Sequence, residues 1–400
     1  MKREAIKIVK NQSCNQRPKW KETFSVSKGE EVLKFHKSFP EYEETPLANL
    51  SALADKLGAG EIRVKDESYR FGLNAFKGLG GSYAIANYIA GILDVSISEL
   101  SYEKITAPEV TEKLKDITFV TTTDGNHGRG IAWTAKKLGV KAKVFMPKVS
   151  TQERLENIRA LGADAEITTF NYDDAVRHAK SVAEENGWPL MQDTAWEGYE
   201  EIPSWIMQGY LSMIVESVNA LNTPPTHVFL QAGVGAMSGA VTGFLANYYG
   251  DKKPIITIVE PDKADCIYCT AAANDGELHS VEGDLDTIMA GLACGEPCTI
   301  GWDMLSAYAD FFVSIPDNIA AKGMRILANP LEGDDHVVSG ESGAAPFGFL
   351  CEVLGNPEMS DIKEMLGLDS HSRILCISTE GDTDKESYRR IVWDGEYPSI

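Results

Sequence analysis

The sequence predicts an α/β fold, with open and mostly parallel sheets carrying helices on both faces. Three observations predict it. From about residue 115, strand-like, turn and helix-like segments alternate. The same rhythm starts again at His227, and glycine or polar residues stand where the strands of both series end. Such alternation is the pattern of βα units wound around a parallel sheet. A chain of 400 residues is longer than one core usually spans, so two lobes are expected.

In the first series Ile117–Thr123 is an apolar, β-branched run and reads as a strand, and Gly130–Lys137 reads as a helix. Val140–Met146 is a strand closed by Pro147. The run STQE from Ser150 to Glu153 reads as a capping box, after which Leu155, Ile158 and Leu161 recur at helical spacing until Gly162. Ala165–Phe170 then reads as strand, Asp173–Glu185 as helix and Trp188–Gln192 as strand. In the second series His227–Gln231 is a strand, Ala240–Tyr249 a helix, Pro254–Glu260 a strand and Arg373–Ser378 a late strand. Pro224-Pro225 marks either a crossing between lobes or a local turn. Asp124, Asp193, Gly233, Glu260 and Ser378 all fall at or just past the C-terminal ends of these strands. Ligands of open parallel sheets bind in the crevice beyond those ends.

The bulk composition excludes several classes of function. The formal charge, 38 − 59 = −21, leaves no basic footprint for nucleic acid or an anionic membrane surface. No apolar run is long enough to span a bilayer, and the N-terminal stretch lacks the apolar segment of a signal peptide, so a cytoplasmic protein is expected. Cys266, Cys269, Cys294 and Cys298 cluster in sequence. Their second spacing is not that of a zinc site and no histidine stands at ligand spacing, so they read as ordinary thiols and no metal is expected.

Two segments carry chemistry. In QAGVGAMSGA, the run Gly233, Val234, Gly235, Ala236, Met237 and Ser238 lies between a strand and a helix. Its glycines let backbone N–H groups close on a phosphate, and a helix N-terminus adds a favourable dipole. Tight strand–helix packing without a ligand explains such a turn equally well. No P-loop sequence is present. Glu260 after the next strand resembles the ribose-binding acid of a dinucleotide fold, which keeps an NAD reading open. In NAFKGLGG, Lys77 stands among apolar and glycine neighbours before an Ala- and Ile-rich helix. Desolvation and a helix N-terminus both disfavour an ammonium there, leaving the free amine that a Schiff base requires.

With these segments in order along the chain, the sequence resembles the fold type II, tryptophan synthase β-like family of pyridoxal phosphate enzymes. The matching stretches are Asn74-Ala75-Phe76-Lys77, Gly125-Asn126-His127-Gly128, Gly233–Gly239, Ile258–Pro261, Gly340–Ala344 and Ser378–Asp384. The resemblance implies a cofactor held in the cleft between a small α/β domain, 85–195, and a large one formed by 1–84 and 196–400. It implies pyridoxal 5'-phosphate bound through Lys77, with Asn126 on its ring oxygen and Gly233–Ser238 on its phosphate. Ser378 would face the ring nitrogen, with Thr379 the alternative. His127 reads as a loop-holding residue, and Glu341 as either a pocket residue or a helix cap. A homodimer is implied as well.

The sequence departs from the common family pattern at Asp124, where a small residue usually precedes the Gly-Asn-His loop. As a helix cap Asp124 needs no further explanation. As a site residue, together with Asp193, it suits a small amino-acid substrate bearing an extra cationic group. The pattern TTTDGNHG with Asp193-Thr194-Ala195-Trp196 is similar to the branch of the family that eliminates ammonia from 2,3-diaminopropionate. The expected reaction is therefore α,β-elimination giving pyruvate and ammonia from both isomers. Lys77 is expected as base for the L isomer and Asp124 for the D isomer, with Asp193 binding or relaying protons at the amino groups. A serine or threonine dehydratase on the same scaffold is the alternative, and a non-catalytic ligand-binding protein the remote one.

Overall fold

The computed structural model describes residues 3–13, 17–123 and 125–398. Asp124, expected at the active site, lies outside the described residues. Among the described residues, ten strands form two sheets: β1 (Lys7–Lys10), β2 (Leu47–Asn49), β3 (Glu61–Asp66), β4 (Thr118–Thr122), β5 (Lys141–Met146), β6 (Asp164–Ile167), β7 (His227–Gln231), β8 (Ile255–Pro261), β9 (Phe311–Ile315) and β10 (Arg373–Ser378). The larger sheet runs β1-β9-β8-β7-β10-β3-β2 and the smaller β4-β5-β6. The edge pairs β1·β9 and β2·β3 are antiparallel. All other ladders are parallel, as the βα rhythm requires.

Strands β4, β7 and β9 are buried at every position. That is why they read as unbroken apolar runs rather than alternating ones. One continuous apolar cluster joins the two sheets. It includes Phe119 and Val144 from the small sheet and Val228 and Ile256 from the large one, with Leu79, Tyr83 and Ile85 of helix Gly78–Leu93 between them. That helix lies against Asn126–Leu138 and Glu201–Gly209. Helix Asn126–Leu138 approaches so closely because of Gly130. A Cβ there would stand 2.9 Å from the Lys77 carbonyl oxygen and 3.0 Å from Gly78 Cα. Any side chain would push the helix off the backbone that carries Lys77.

Several sequence expectations shift on the real backbone. The first-series helix begins at Asn126, four residues before the predicted Gly130. The predicted STQE box is displaced by one residue: Thr151 is the cap, accepting from the Arg154 N–H at 3.4 Å. The Ala165–Phe170 segment is regular strand only to Ile167, in the strand Asp164–Ile167, although Thr168 N still donates to Met146 O at 2.7 Å and Lys148 N to Phe170 O at 2.8 Å. Trp188–Gln192 is no full strand, since Pro189 has no N–H to give and pairing is confined to a bridge between Val120 and Leu190. Pro224-Pro225 lies in the loop between helix Leu211–Ala220 and β7, with its Pro224 carbonyl accepting from Arg373 Nε at 2.8 Å.

Behind β3 sits a buried ionic cluster. Lys65 Nζ donates to Glu216 Oε2 at 2.6 Å, and Arg70 forks onto Glu216 at 2.7 and 2.8 Å and onto Glu67 at 2.8 Å. All four side chains are at most 1% exposed. Charges of the two signs are equal in number, which makes such burial tolerable.

Candidate active site

The site is built on the loops after the parallel strands. Lys77 is placed by a stitch between two segments distant in sequence. Phe76 N donates to Thr379 O at 3.0 Å, Gly381 N to Asn74 O at 3.1 Å, and Asn74 Nδ2 to Asp382 Oδ1 at 2.9 Å. Asn74 takes the left-handed conformation (φ 57°) that lets the chain turn before Lys77. The lysine is thereby held beside the residues that follow β10.

Across from it, Gly125 N donates to Thr123 Oγ1 at 2.9 Å and helix Asn126–Leu138 begins. Asn126 Nδ2 donates to Glu380 Oε2, and the Ser342 N–H approaches the other oxygen of Glu380 at 3.3 Å. Burial pushes the Glu380 carboxyl up, against the pull of Arg154 and Asn126. His127 Nε2 donates to the Met191 carbonyl at 2.7 Å, which fixes the loop as expected for this histidine.

Asp193 is the charged centre of the wall. It accepts from Lys77 Nζ, from the Tyr172 hydroxyl at 3.2 Å and from Gln192 Nε2 at 3.2 Å, with His127 Nδ1 at 3.9 Å. Burial alone would raise its carboxyl. His127 and Lys77 outweigh that and hold it at about 2, so Asp193 is an anion at neutral pH.

On the third side, the turn after β7 leads into helix Ala236–Tyr249. Gly235 is left-handed (φ 89°) and caps the helix with no side-chain bond, so the first-turn N–H groups face the cavity rather than a capping oxygen. A Cβ on Gly233 would meet Leu292 Cα at 3.2 Å and Gly291 O at 3.3 Å, closing the slot between this turn and the 290–294 segment. Ser238 Oγ donates to Gly235 O at 3.3 Å. Gln231 Nε2 donates to Thr379 Oγ1 at 2.8 Å and Ile377 O at 3.1 Å, while its buried Oε1 has no hydrogen-bond partner among the described residues.

These groups fit pyridoxal phosphate. A lysine amine, an uncapped glycine-rich helix start suited to a phosphate, an amide and a hydroxyl share the cavity wall. Lys77, Asn126, Asp193, Gly233–Ser238 and Thr379 all line the same cavity. Ser378 does not. Its hydroxyl turns away to donate to Ser339 Oγ at 2.8 Å, leaving Thr379, just past the strand, to face the cavity. Glu260 is also elsewhere: its carboxylate accepts the Ile267 and Tyr268 N–H groups at 2.9 and 2.6 Å, a structural use that leaves no acid for a ribose. Glu341 stands at the first turn of helix Glu341–Gly355 and accepts from Ser387 Oγ at 2.9 Å, outside the lining.

Sequence reasoning passed over Tyr172, Gln231, Ser342 and Glu380 as site residues. For Gln231 a signal was present, a polar residue ending an otherwise apolar strand beside the glycine turn. Glu380 directly follows Thr379 in a motif already singled out. Nothing in the sequence around Tyr172 marks it.

The profile of the family described as "Pyridoxal-phosphate dependent enzyme" matches residues 39–366. The chain is 53% identical over 372 residues to the diaminopropionate ammonia-lyase of Salmonella typhimurium, covering 92% of each chain. It superposes on the crystal structure of holo diaminopropionate ammonia lyase from Escherichia coli with a TM-score of 0.92 at 46% identity, covering 98% of both. The same Escherichia coli enzyme in complex with an aminoacrylate-PLP azomethine reaction intermediate gives a TM-score of 0.91 over the same share.

Proposed function

This chain belongs to the pyridoxal-phosphate dependent enzymes, and from that membership we propose that it eliminates ammonia from 2,3-diaminopropionate. The products are pyruvate and ammonia, and both isomers are substrates. The observation that carries the reading is Asp193, a buried carboxylate ionised at neutral pH on the wall of the cavity that holds Lys77. An anion in that position suits a substrate whose β-carbon bears an ammonium rather than a hydroxyl. Relatives named for this activity at 48 to 53% identity support the same substrate.

In this reading Lys77 anchors the cofactor's aldehyde end, the Gly233–Ser238 turn and the helix start behind it hold the phosphate, and Asn126 donates to the ring oxygen. Thr379 faces the ring nitrogen. Its neutral hydroxyl leaves that nitrogen largely unprotonated, which favours elimination over transamination. When bound, the cofactor supplies an electron-withdrawing ring that makes the substrate's α-proton removable. The Lys77 amine would take that proton from the L isomer. Asp124 is proposed as the corresponding base for the D isomer. Asp193 binds the β-ammonium and keeps it protonated until it departs as ammonia. The released enamine hydrolyses to pyruvate and a second ammonia.

In the same reading the cofactor would sit between a smaller unit, 85–195, and the remainder, 1–84 and 196–400. We read the enzyme as a cytoplasmic homodimer. The dimer rests on the frequency of two-fold assemblies and is tested by light scattering.

The function is tested by an absorbance spectrum of the purified protein followed by D- and then L-2,3-diaminopropionate with coupled pyruvate detection. A visible-edge band that shifts with each isomer and yields pyruvate is expected, as is loss of both in Lys77→Ala. Faster turnover of L-serine than of either diaminopropionate isomer overturns the substrate and points to a hydroxyamino-acid dehydratase.

A further inference from the structure

Away from the active cavity, a second hollow of about 540 Å³ opens between helices Ser51–Leu57, Asp317–Ala328 and the end of Glu341–Gly355. Its walls are aliphatic, with Leu50, Leu53, Leu57, Ile326 and Leu327 among them. Its charged lining is the opposite of the chain as a whole. Lys56, Lys322 and Arg325 face a single acid, Asp334, in a protein of formal charge −21. The acid is already engaged, accepting the Ala52 and Leu53 N–H groups at 2.7 and 2.9 Å. Lys322 pairs with Glu352 at 2.6 Å, and Arg325 donates to the carbonyls of Ile391, Glu396 and Tyr397. Lys56 makes no ion pair among the described residues, and its ammonium stands exposed at the rim.

An apolar pocket of this size with a few polar groups at one side is the usual form of a small-molecule site. The excess of positive charge selects an anion, and the aliphatic depth selects an alkyl chain. The hollow also touches the catalytic apparatus through one continuous helix, which has Pro346 in its interior. Helix Glu341–Gly355 has Ser342 on the active cavity and Cys351 and Gly355 on the second hollow. Its 15 residues span ~22 Å.

We propose that this hollow is an effector site for a small amphipathic carboxylate, with its alkyl chain among the leucines and its carboxylate at Lys56, coupled to the active cavity along helix Glu341–Gly355. The proposal does not depend on which amino acid the enzyme consumes.

Calorimetric titration of the holoenzyme with octanoate tests it. Saturable binding is expected, weakening about fourfold for each methylene removed from the probe. Octanol, which lacks the charge, should bind about two- to fivefold more weakly, and Lys56→Glu, which reverses the charge, should weaken octanoate by about tenfold. Ile326→Trp, at a half-buried wall position, should abolish binding by filling the space. Saturating octanoate should change KM for the amino acid at least twofold in the parent enzyme, and Lys56→Glu should need about tenfold more octanoate for the same change. No saturable heat, affinity independent of chain length, or full affinity in Lys56→Glu overturns the site. Unchanged kinetics at saturation overturns the coupling. A change of molecular mass by light scattering in Ile326→Trp marks the hollow as a contact between copies of the chain and also overturns the site. Should Ile326→Trp fail to fold, Lys56→Glu on the exposed rim still decides.

Discussion

Replacing Asp193 by Asn removes one charge from the cavity wall and keeps the shape of the side chain. The depression of the carboxyl from 3.8 to about 2 corresponds to about 2 kcal/mol favouring the anion over the neutral acid, after burial has been overcome by His127 and Lys77. Hydrogen bonds to a buried charged group are worth about 1.5–3 kcal/mol, against about 0.5–1.5 kcal/mol for a neutral pair. A substrate ammonium bound at Asp193 should therefore lose ~10- to 100-fold in kcat/KM in Asp193→Asn. Serine, which offers only a hydroxyl, should lose less than about tenfold. The assay is steady-state kcat/KM for both amino acids with coupled pyruvate detection, and the quantity of interest is their ratio. Equal losses for the two would refute the reasoning. Asp193 would then act only by holding Lys77, to which it is bonded, and not by reading the extra charge. The sign of the pH effect follows from the depressed value. The ionised form contributes above about pH 4 and is lost only as pH falls through about 2, so no acid limb from this residue should appear in the neutral range.

Three further outcomes are expected. Glu216→Gln strands Lys65 and Arg70 with only Glu67 as counter-charge, which should cost about 3–5 kcal/mol in urea unfolding at pH 7. Glu216 itself is held at about 2 by Arg70 and Lys65 against burial, so this contribution should persist above about pH 4.5 and fade as pH drops through about 2. Gly239→Ala would set a Cβ 2.7 Å from Gly301 Cα and 2.8 Å from its carbonyl oxygen; two backbones must separate, lowering stability by about 1–3 kcal/mol and Tm by a few degrees in calorimetry. Glu380→Ala releases the Asn126 amide and should weaken pyridoxal phosphate about tenfold and shift the bound-cofactor absorbance; Glu380→Gln, which keeps an acceptor, should stay within about threefold in equilibrium dialysis.

Much of the architecture was legible from local pattern. Strands such as His227–Gln231 end where the sequence ends them, because their apolar runs are bounded by glycine and proline whose backbone preferences act within a few residues. The Gly233–Ser238 turn was legible for the same reason, since a left-handed Gly235 before a helix is a local requirement. Boundaries moved where a tertiary partner was missing or present: Trp188–Gln192 lost its ladder to Pro189, and helix Asn126–Leu138 started early because Asn126 is held by Glu380 from the far end of the chain.

By itself, then, the sequence determined the βα alternation, the glycine turn and the position of Lys77 before its helix. These depend on propensity and spacing along a few neighbouring residues. Only the tertiary structure decided the electrical state of the site and the direction of its side chains. Asp193 is an anion because Lys77, 116 residues away, and His127 fold against it. Thr379 rather than Ser378 faces the cavity because Ser339 claims the Ser378 hydroxyl, while Gln231 of the neighbouring strand end holds that of Thr379. Charge and direction are set by groups the chain brings together across long loops, and no local pattern encodes them.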